Sequence, residues 1–471
     1  VNNRAGDVAD AGQSETAIVA FGTKLVAAWN DGQGFYLTPT DVQGWGYTTN
    51  GGQTWTDGGI PLKTGTTINY WSSDPVTCVN EKTGDFFYCG LTSNSGSNNN
   101  GVGIVRGHFA AGSYSQDLAS MVSAGPSSSA SYDKQWIAVD SLTGTVYVTW
   151  TLFTTSGNSI QFSRSTDNGA TWSAPKQISG SWESGRVQGS RPAVGPNGEV
   201  YITYYAIGTV DADSIKVAKS TDNGATFGPS VVATAIYANY FTGCPGFNRA
   251  RAVTMPSIAV DRSTGPYRGR VYVSIQDCLN FYGDALGTGT SVNEKESNNY
   301  WAAANSFTPG QVLRGAISAT TDTDWWKFSA TQGSTYIFYV DSLRTSSFKY
   351  NLRLYCPNDT TVTSRLALSG DGSTSDAVNQ HAMIVWTAPT TNTYYLRVVD
   401  VASTGGYRIK TGVHTPVVTD VARDTRDAMV TSSADGITWS PRTRMNDDAA
   451  LYDNWLPEVA IGADGYAYSY W

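Results

Sequence analysis

The chain has 471 residues, 49 of them glycine, with 12% aromatic and 15% charged residues and a net charge of -8. That composition is too apolar for a disordered chain and too acidic for a nucleic-acid partner, which demands a basic face. Few charges with many Gly, Trp and Tyr predict an all-β chain with tight turns, and no apolar run of about eighteen residues is present to form a membrane-spanning helix.

In chain order, the first predicted element is a strand, a tight turn and an aromatic strand, TAIVAFGTKLVAAW over 16–29. The pattern returns as DPVTCVNEKTGDFFYC (74–89), QWIAVDSLTGTVYVTW (135–150), RPAVGPNGEVYITYY (191–205), PSIAVDRSTGPYRGRVYVSI (256–275) and PEVAIGADGYAYSYW (457–471). Most copies start about sixty residues apart, a spacing that suits four-stranded blades. Cys78 with Cys89, and Cys244 with Cys278, flank predicted strand pairs; both pairs are expected as disulfides in an oxidising compartment, with Cys356 left over.

A second repeat runs out of phase with the first. Ser165-Thr166-Asp167-Asn168-Gly169-Ala170-Thr171-Trp172 recurs as Ser220-Thr221-Asp222-Asn223-Gly224-Ala225-Thr226-Phe227, with looser copies at 48–55 and 432–439. Asp or Asn bonds nearby amides, Gly takes a positive φ, and the aromatic ring packs under the turn. These octapeptides resemble the Asp-box, or BNR repeat, of sialidase-like β-propellers. The resemblance implies an all-β, six-bladed β-propeller in which each hairpin forms the two inner strands and each box joins the two outer ones. Blade 2 has no box, and its third strand is expected at GVGIVRGHF (101–109).

More than a hundred extra residues separate the fifth hairpin from its box. Asp322-Thr323-Asp324-Trp325-Trp326 and Tyr394-Tyr395-Leu396-Arg397-Val398 in this stretch resemble the bacterial pre-peptidase C-terminal (PPC) domain, a small β-sandwich. The expected organisation is propeller over 1–285, inserted sandwich over 286–413, and the rest of the propeller over 414–471. The last hairpin shows no outer strands, so self-association through an incomplete sixth blade is expected as one way of closing the ring.

In this class the binding face lies opposite the boxes, so candidate residues precede each first strand or follow each second one. They include Asn30, Lys134, Gln188 and Glu458. Asp74 and Asp133 are candidates for proton transfer, because paired carboxyl groups suit cleavage of a glycosidic bond. Arg191 and Arg251 are candidates for binding a carboxylate or sulfate, and Glu15, Asp31, Gln135, Trp136 and Trp455 for lining the cleft. The resemblance implies a tyrosine nucleophile, for which Tyr205 and Tyr452 are the candidates, and an aspartate acid, either Asp31 or Asp74. The family's Arg-Ile-Pro motif is absent. The expected function is a secreted or extracellular glycoside hydrolase or lyase acting on an acidic glycan. The alternative is a non-catalytic extracellular glycan-binding or surface-assembly protein. No cofactor is required; Asp322-Thr323-Asp324 reads as a solvated turn, with structural calcium at its hard oxygen ligands as the alternative.

Overall fold

The computed structural model describes residues 11–36, 41–94, 99–208, 213–238, 254–281, 283–340, 350–356, 364–369, 383–400, 404–417, 420–422, 426–448 and 454–471. Five four-stranded antiparallel sheets follow one another. Sheet 1 comprises Gln13–Phe21, Lys24–Asp31, Gln43–Thr48 and Thr56–Gly59, and sheet 2 Tyr70–Asn80, Asp85–Asn94, Asn99–Ala110 and Ser113–Pro126. Sheet 3 comprises Ala130–Val139, Val146–Thr154, Gly157–Ser165 and Lys176–Gln177, and sheet 4 Val187–Val194, Val200–Ala206, Asp213–Ser220 and Val231–Ile236. Sheet 5 pairs Ser257–Val260 and Val271–Asp277 with Asp427–Ser433 and Thr443–Arg444, and a hairpin of Glu458–Ile461 and Ala467–Tyr470 ends the chain. The first strand of each sheet lies against the first strand of the next, from sheet 1 through to the final hairpin. That radial packing of sheets by their inner strands is a β-propeller. No helix among the described residues is long and apolar enough to cross a membrane.

The core is laid between neighbouring sheets. Val26, Ala28 and Trp45 of sheet 1 pack on Phe86, Tyr88 and Val105 of sheet 2, and Phe87, Val102 and Ile104 pack on Ile137, Val148 and Trp150 of sheet 3. The second strands of sheets 2, 3 and 4 each lie between two neighbouring sheets, which is why they read as near-continuous apolar runs such as VYVTW.

The octapeptide turns share one bonding scheme. Ser165 Oγ donates to Asp167 Oδ1 (2.7 Å) and accepts from the Gly169 amide (2.9 Å), while the Thr171 amide donates to Asp167 Oδ1 (2.8 Å). Ser220, Asp222, Gly224 and Thr226 repeat it at 2.7, 2.9 and 2.8 Å. Thr48, Asn50, Gly52 and Thr54 do the same in sheet 1, and Ser433, Asp435, Gly436 and Thr438 in sheet 5, where the turn is one residue shorter. These bonds to its ionised form hold Asp167 down at about 2. Three of the four turns also clasp the preceding sheet. Arg106 donates to the Asn168 carbonyl (3.1 Å), Arg164 to that of Asn223 (2.5 Å) and Lys219 to that of Asp435 (2.7 Å). Gly224, at φ 75°, lies so close to Phe162 that a Cβ there would sit 2.7 Å from the ring.

Between the second and third strands of sheet 5 the chain builds a sandwich of two five-stranded sheets. One runs Ser291–Asn293, Val312–Ile317, Gly405–Val413, Thr335–Val340, Met383–Thr387; the other runs Asn305–Ser306, Thr323–Ala330, Asn392–Asp400, Tyr350–Tyr355, Arg365–Leu368. Tyr336, Phe338, Ile384 and Trp386 point into the sandwich core, while the intervening Ile337 and Val385 pack with Val273, Ile275 and Leu279 on the propeller side. His414 joins the two ends of the insertion, its Nδ1 2.7 Å from Asp284 and its Nε2 3.1 Å from Asp420.

The expected Cys78–Cys89 disulfide is not formed; both are free thiols. Cys78 pairs with Phe87 and Cys89 with Val76, so the cysteines are diagonal neighbours, a relation that leaves Cα atoms roughly 7–8 Å apart, beyond disulfide reach. The Cys244–Cys278 pair lies outside the described residues through Cys244.

Candidate functional site

The site is built by a recurring irregularity at the start of the first strands. Ladder register breaks at Ser14/Ala17 in sheet 1, at Ser73/Val76 in sheet 2, opposite Thr149/Thr151 in sheet 3 and at Gln188/Arg191 in sheet 4. At each break one residue is left-handed: Glu15 (φ 49°), Asp74 (φ 58°), Lys134 (φ 46°) and Gly189 (φ 66°); Leu456 (φ 51°) holds the corresponding place before the last hairpin. A non-glycine residue at such φ is strained and persists only where its surroundings over-determine it. Here neighbouring sheets do so at the second, fourth and last of these positions. Asn30 Oδ1 accepts the Asp74 amide (3.0 Å), Thr149 Oγ1 donates to the Ser190 carbonyl (3.3 Å), and Gln276 Oε1 accepts the Leu456 amide (2.9 Å). Gln135 donates to the Asp74 carbonyl and Gln43 to that of Ser73.

The bulges bring three chemistry-bearing residues into contact. Lys134 Nζ lies 3.0 Å from Asp74 Oδ2 and 3.2 Å from Glu15 Oε1, and Glu15 hydrogen-bonds Asp74. Burial, and then the neighbouring Asp74, push Glu15 up to about 7. Burial acts on Asp74 in the same sense, but its bond from Glu15 and the Lys134 charge outweigh it, so Asp74 is held below its ordinary value. Lys134 is raised by its three carboxylate neighbours against its own burial. Asp133 accepts Gln188 Nε2 (2.6 Å) and the Lys134 amide (2.9 Å), and burial with the Asp74 charge raises it. Asp133 also lines a cleft of about 340 Å³ between sheets 2 and 3.

The other candidates fall elsewhere. Arg191 Nη1 pairs with Glu458 at 2.5 Å, and its guanidinium stacks 3.7 Å over the Trp136 ring, so one arm of its fork is already engaged. Asp31 is used within sheet 1, accepting Gln13 Nε2 (3.4 Å) and the Gln33 amide (3.0 Å). Trp455 is half-buried before the last hairpin, between Asn454, whose amide donates to the Arg426 carbonyl, and Leu456. Tyr205 is not available as a nucleophile. It is fully buried between sheets 4 and 5, its hydroxyl donating to Asp213 Oδ2 (2.5 Å) with the Ala238 carbonyl oxygen 2.8 Å away. Arg251 and Tyr452 lie outside the described residues. The sequence reading passed over Gln43 and Thr149, which brace the bulges, and the hydroxyl-bearing residues of the cleft; the polar strand end Thr92-Ser93 was the signal for the latter.

The loop Asp322-Thr323-Asp324 divides in two. Asp322 Oδ2 is consumed by the Ser318 amide (2.6 Å) and hydroxyl (2.7 Å). Asp324 groups instead with Glu294 and Glu296, their oxygens within 4.8 Å of one another. Asp324 is fully buried, its Oδ2 has no hydrogen-bond partner among the described residues, and burial and Glu294 push it up to about 9.

No family model matches the chain, and no curated protein does. Solved structures do resemble it. An α-L-arabinofuranosidase from Fusarium graminearum, determined with an iminosugar inhibitor, is 11% identical, covering 57% of this chain and 79% of its own at a TM-score of 0.42. An exo-β-1,3-galactanase from Phanerochaete chrysosporium, determined with β-1,3-galactotriose, is 12% identical, covering 87% and 97% at 0.40. The intramolecular trans-sialidase from Ruminococcus gnavus, with oseltamivir carboxylate, is 12% identical, covering 59% and 83% at 0.39. At these scores the likeness assigns no residue and no activity.

Proposed function

We propose that the cluster at the inner strand ends is the catalytic centre of a glycan-cleaving hydrolase. The observation that carries this reading is the split protonation inside one hydrogen-bonded group: Glu15 keeps its proton to about pH 7 beside an ionised Asp74. Breaking a glycosidic bond needs a carboxylic acid to protonate the leaving oxygen and a second, ionised carboxyl to act on the anomeric carbon or on its water. Glu15 is assigned the acid role. Asp133, which faces the cleft, is the second carboxyl: burial and the Asp74 charge raise it, while bonds from Gln188 and the Lys134 amide favour its ionised form, and Asp74 with Lys134 sets the charge around both. No tyrosine nucleophile is required. The bonding common to the four turns supports grouping the propeller with the Asp-box class, and the two five-stranded sheets support the PPC-like reading of the insertion.

The test is hydrolysis of a panel of glycans by the wild type and by Glu15→Gln and Asp133→Asn. Each variant should lose about 10²–10⁴-fold in kcat/KM, the usual contribution of a positioned acid or base. Turnover by Glu15→Gln at the wild-type rate would remove the assignment. Binding of glycan with no turnover by the wild type would make the protein a glycan-binding module instead.

The orphaned Asp324 oxygen favours one further reading, a calcium ion held in the sandwich by Glu294, Glu296 and Asp324. Three clustered carboxyl groups supply the hard oxygens calcium prefers, and the ion would relieve their mutual repulsion. Adding calcium to chelator-treated protein should raise its melting temperature, and Asp324→Asn should abolish the rise. An unchanged melting temperature would refute the site.

A further inference from the structure

We infer that the cleft beside Asp133 is a subsite for an uncharged glycan chain. This rests on the catalytic reading of the cluster and names the substrate class for it. Two observations point the same way. The first is charge. With Glu15 holding its proton, the cluster and its surroundings have three other carboxyl groups, Asp74, Asp133 and Glu458, against two cations, Lys134 and Arg191. Both cations already pair with carboxyl groups of the cluster, so among the described residues no unpaired cluster cation faces a ligand carboxylate or sulfate. An anionic sugar would enter a field of its own sign. This reverses the acidic substrate expected from the arginines.

The second observation is the cleft itself. Its volume of about 340 Å³ is continued by a neighbouring one of about 230 Å³, and the two share Thr92, Ser93 and Asn100. Together they form a trough running from Asp133 outward along sheet 2 as far as Met121. Asp133 is the single charged side chain in either lining; the rest are mainly hydroxyls, amides and small apolar groups, with Tyr132 and Phe153 at the inner end. Asn100 donates to the Ala130 carbonyl (3.0 Å), while its own Oδ1 is buried and has no partner among the described residues. A buried acceptor without a partner is unfavourable, and a sugar hydroxyl is a donor that would satisfy it. Neutral hydroxyl-bearing walls, a free acceptor and flanking aromatic rings match a chain of neutral sugars.

The test measures equilibrium binding to Glu15→Gln protein, which should not consume its ligand. Probes are length-matched oligosaccharides of neutral arabinan, galactan, xylan and β-glucan, against polygalacturonate, heparan sulfate and sialylated oligosaccharides. A neutral chain should bind at least tenfold more tightly than any acidic one, with little dependence on salt. Ser131→Trp places a large ring in the trough from an exposed strand start, where it does not disturb the core, and should weaken that binding at least tenfold. Tighter binding of an acidic chain, binding indifferent to Ser131→Trp, or no binding of any neutral chain would each overturn the inference. Neutral chains bound in the trough but never cleaved by wild type would leave the subsite standing and remove the hydrolase reading. Cleavage of acidic chains alone would do the opposite.

Discussion

Glu15 is placed to hold a proton by three circumstances: partial burial, contact with Asp74, and a left-handed backbone that turns it toward Lys134. Raising a carboxyl to about 7 means that kcat/KM should fall as pH rises through 7. The same shift has a stability consequence. A carboxyl whose folded-state value exceeds its unfolded one favours the folded state fully below about 4.5, and that contribution is lost as pH rises to about 7. Glu15→Gln should therefore flatten the dependence of melting temperature on pH between 4.5 and 7, and should stabilise the protein relative to wild type at pH 8. A variant with the wild-type pH dependence would show that Glu15 titrates normally. Lys134 is the counterweight: with Lys134→Met the three carboxyl groups lose their common cation.

At the scale of elements, side chains tie neighbouring sheets at the inner end, at the outer end or, as between sheets 3 and 4, at both. At the inner end, side chains of the second strands cap the neighbouring bulge; at the outer end, a cation on the third strand caps the neighbouring turn. A charge-assisted bond to a carbonyl is worth about 1.5–3 kcal/mol when buried, and less at a half-exposed position. Arg164→Met, which keeps much of the apolar stem, should cost about 1 kcal/mol in denaturant unfolding without changing activity. A loss of activity at unchanged stability would mean that the turn face communicates with the opposite one.

At the scale of the molecule, the insertion shares a core with the propeller. Ile337 is fully buried, and it packs among sheet 5 residues, not with its own strand neighbours Tyr336 and Phe338. Truncating such a side chain costs about 2–5 kcal/mol. Calorimetry of the wild type should give one transition for both bodies. Ile337→Asp should split it, leaving a sandwich transition near its former position and an earlier one for the propeller. Two separate transitions in the wild type would show that the shared core does not couple them.

The sequence by itself determined the β class, the repeating hairpins and the octapeptide turns, because these are local. A period of two, an Asp two residues after a Ser, and a Gly behind it act within eight residues, and the bonds of Asp167 and Asp222 are made by their own turns. Sequence position also placed Glu15, Asp74 and Asp133 at the starts of inner strands. Only the tertiary structure decided which of those residues meet. The register breaks are invisible in residue type, since Glu, Asp, Lys and Leu carry no preference for a left-handed backbone comparable to glycine's. They are imposed by amides and hydroxyls of the preceding sheet, some forty residues or more away in the chain. The same distance explains the misreadings. Tyr205 lies at the end of a strand that should face the ring, yet two sheets close over it. Arg191 looks free for an anion until Glu458, 267 residues later, takes it. Cys78 and Cys89 sit in one hairpin, and the ladder's register sets them diagonally, not face to face.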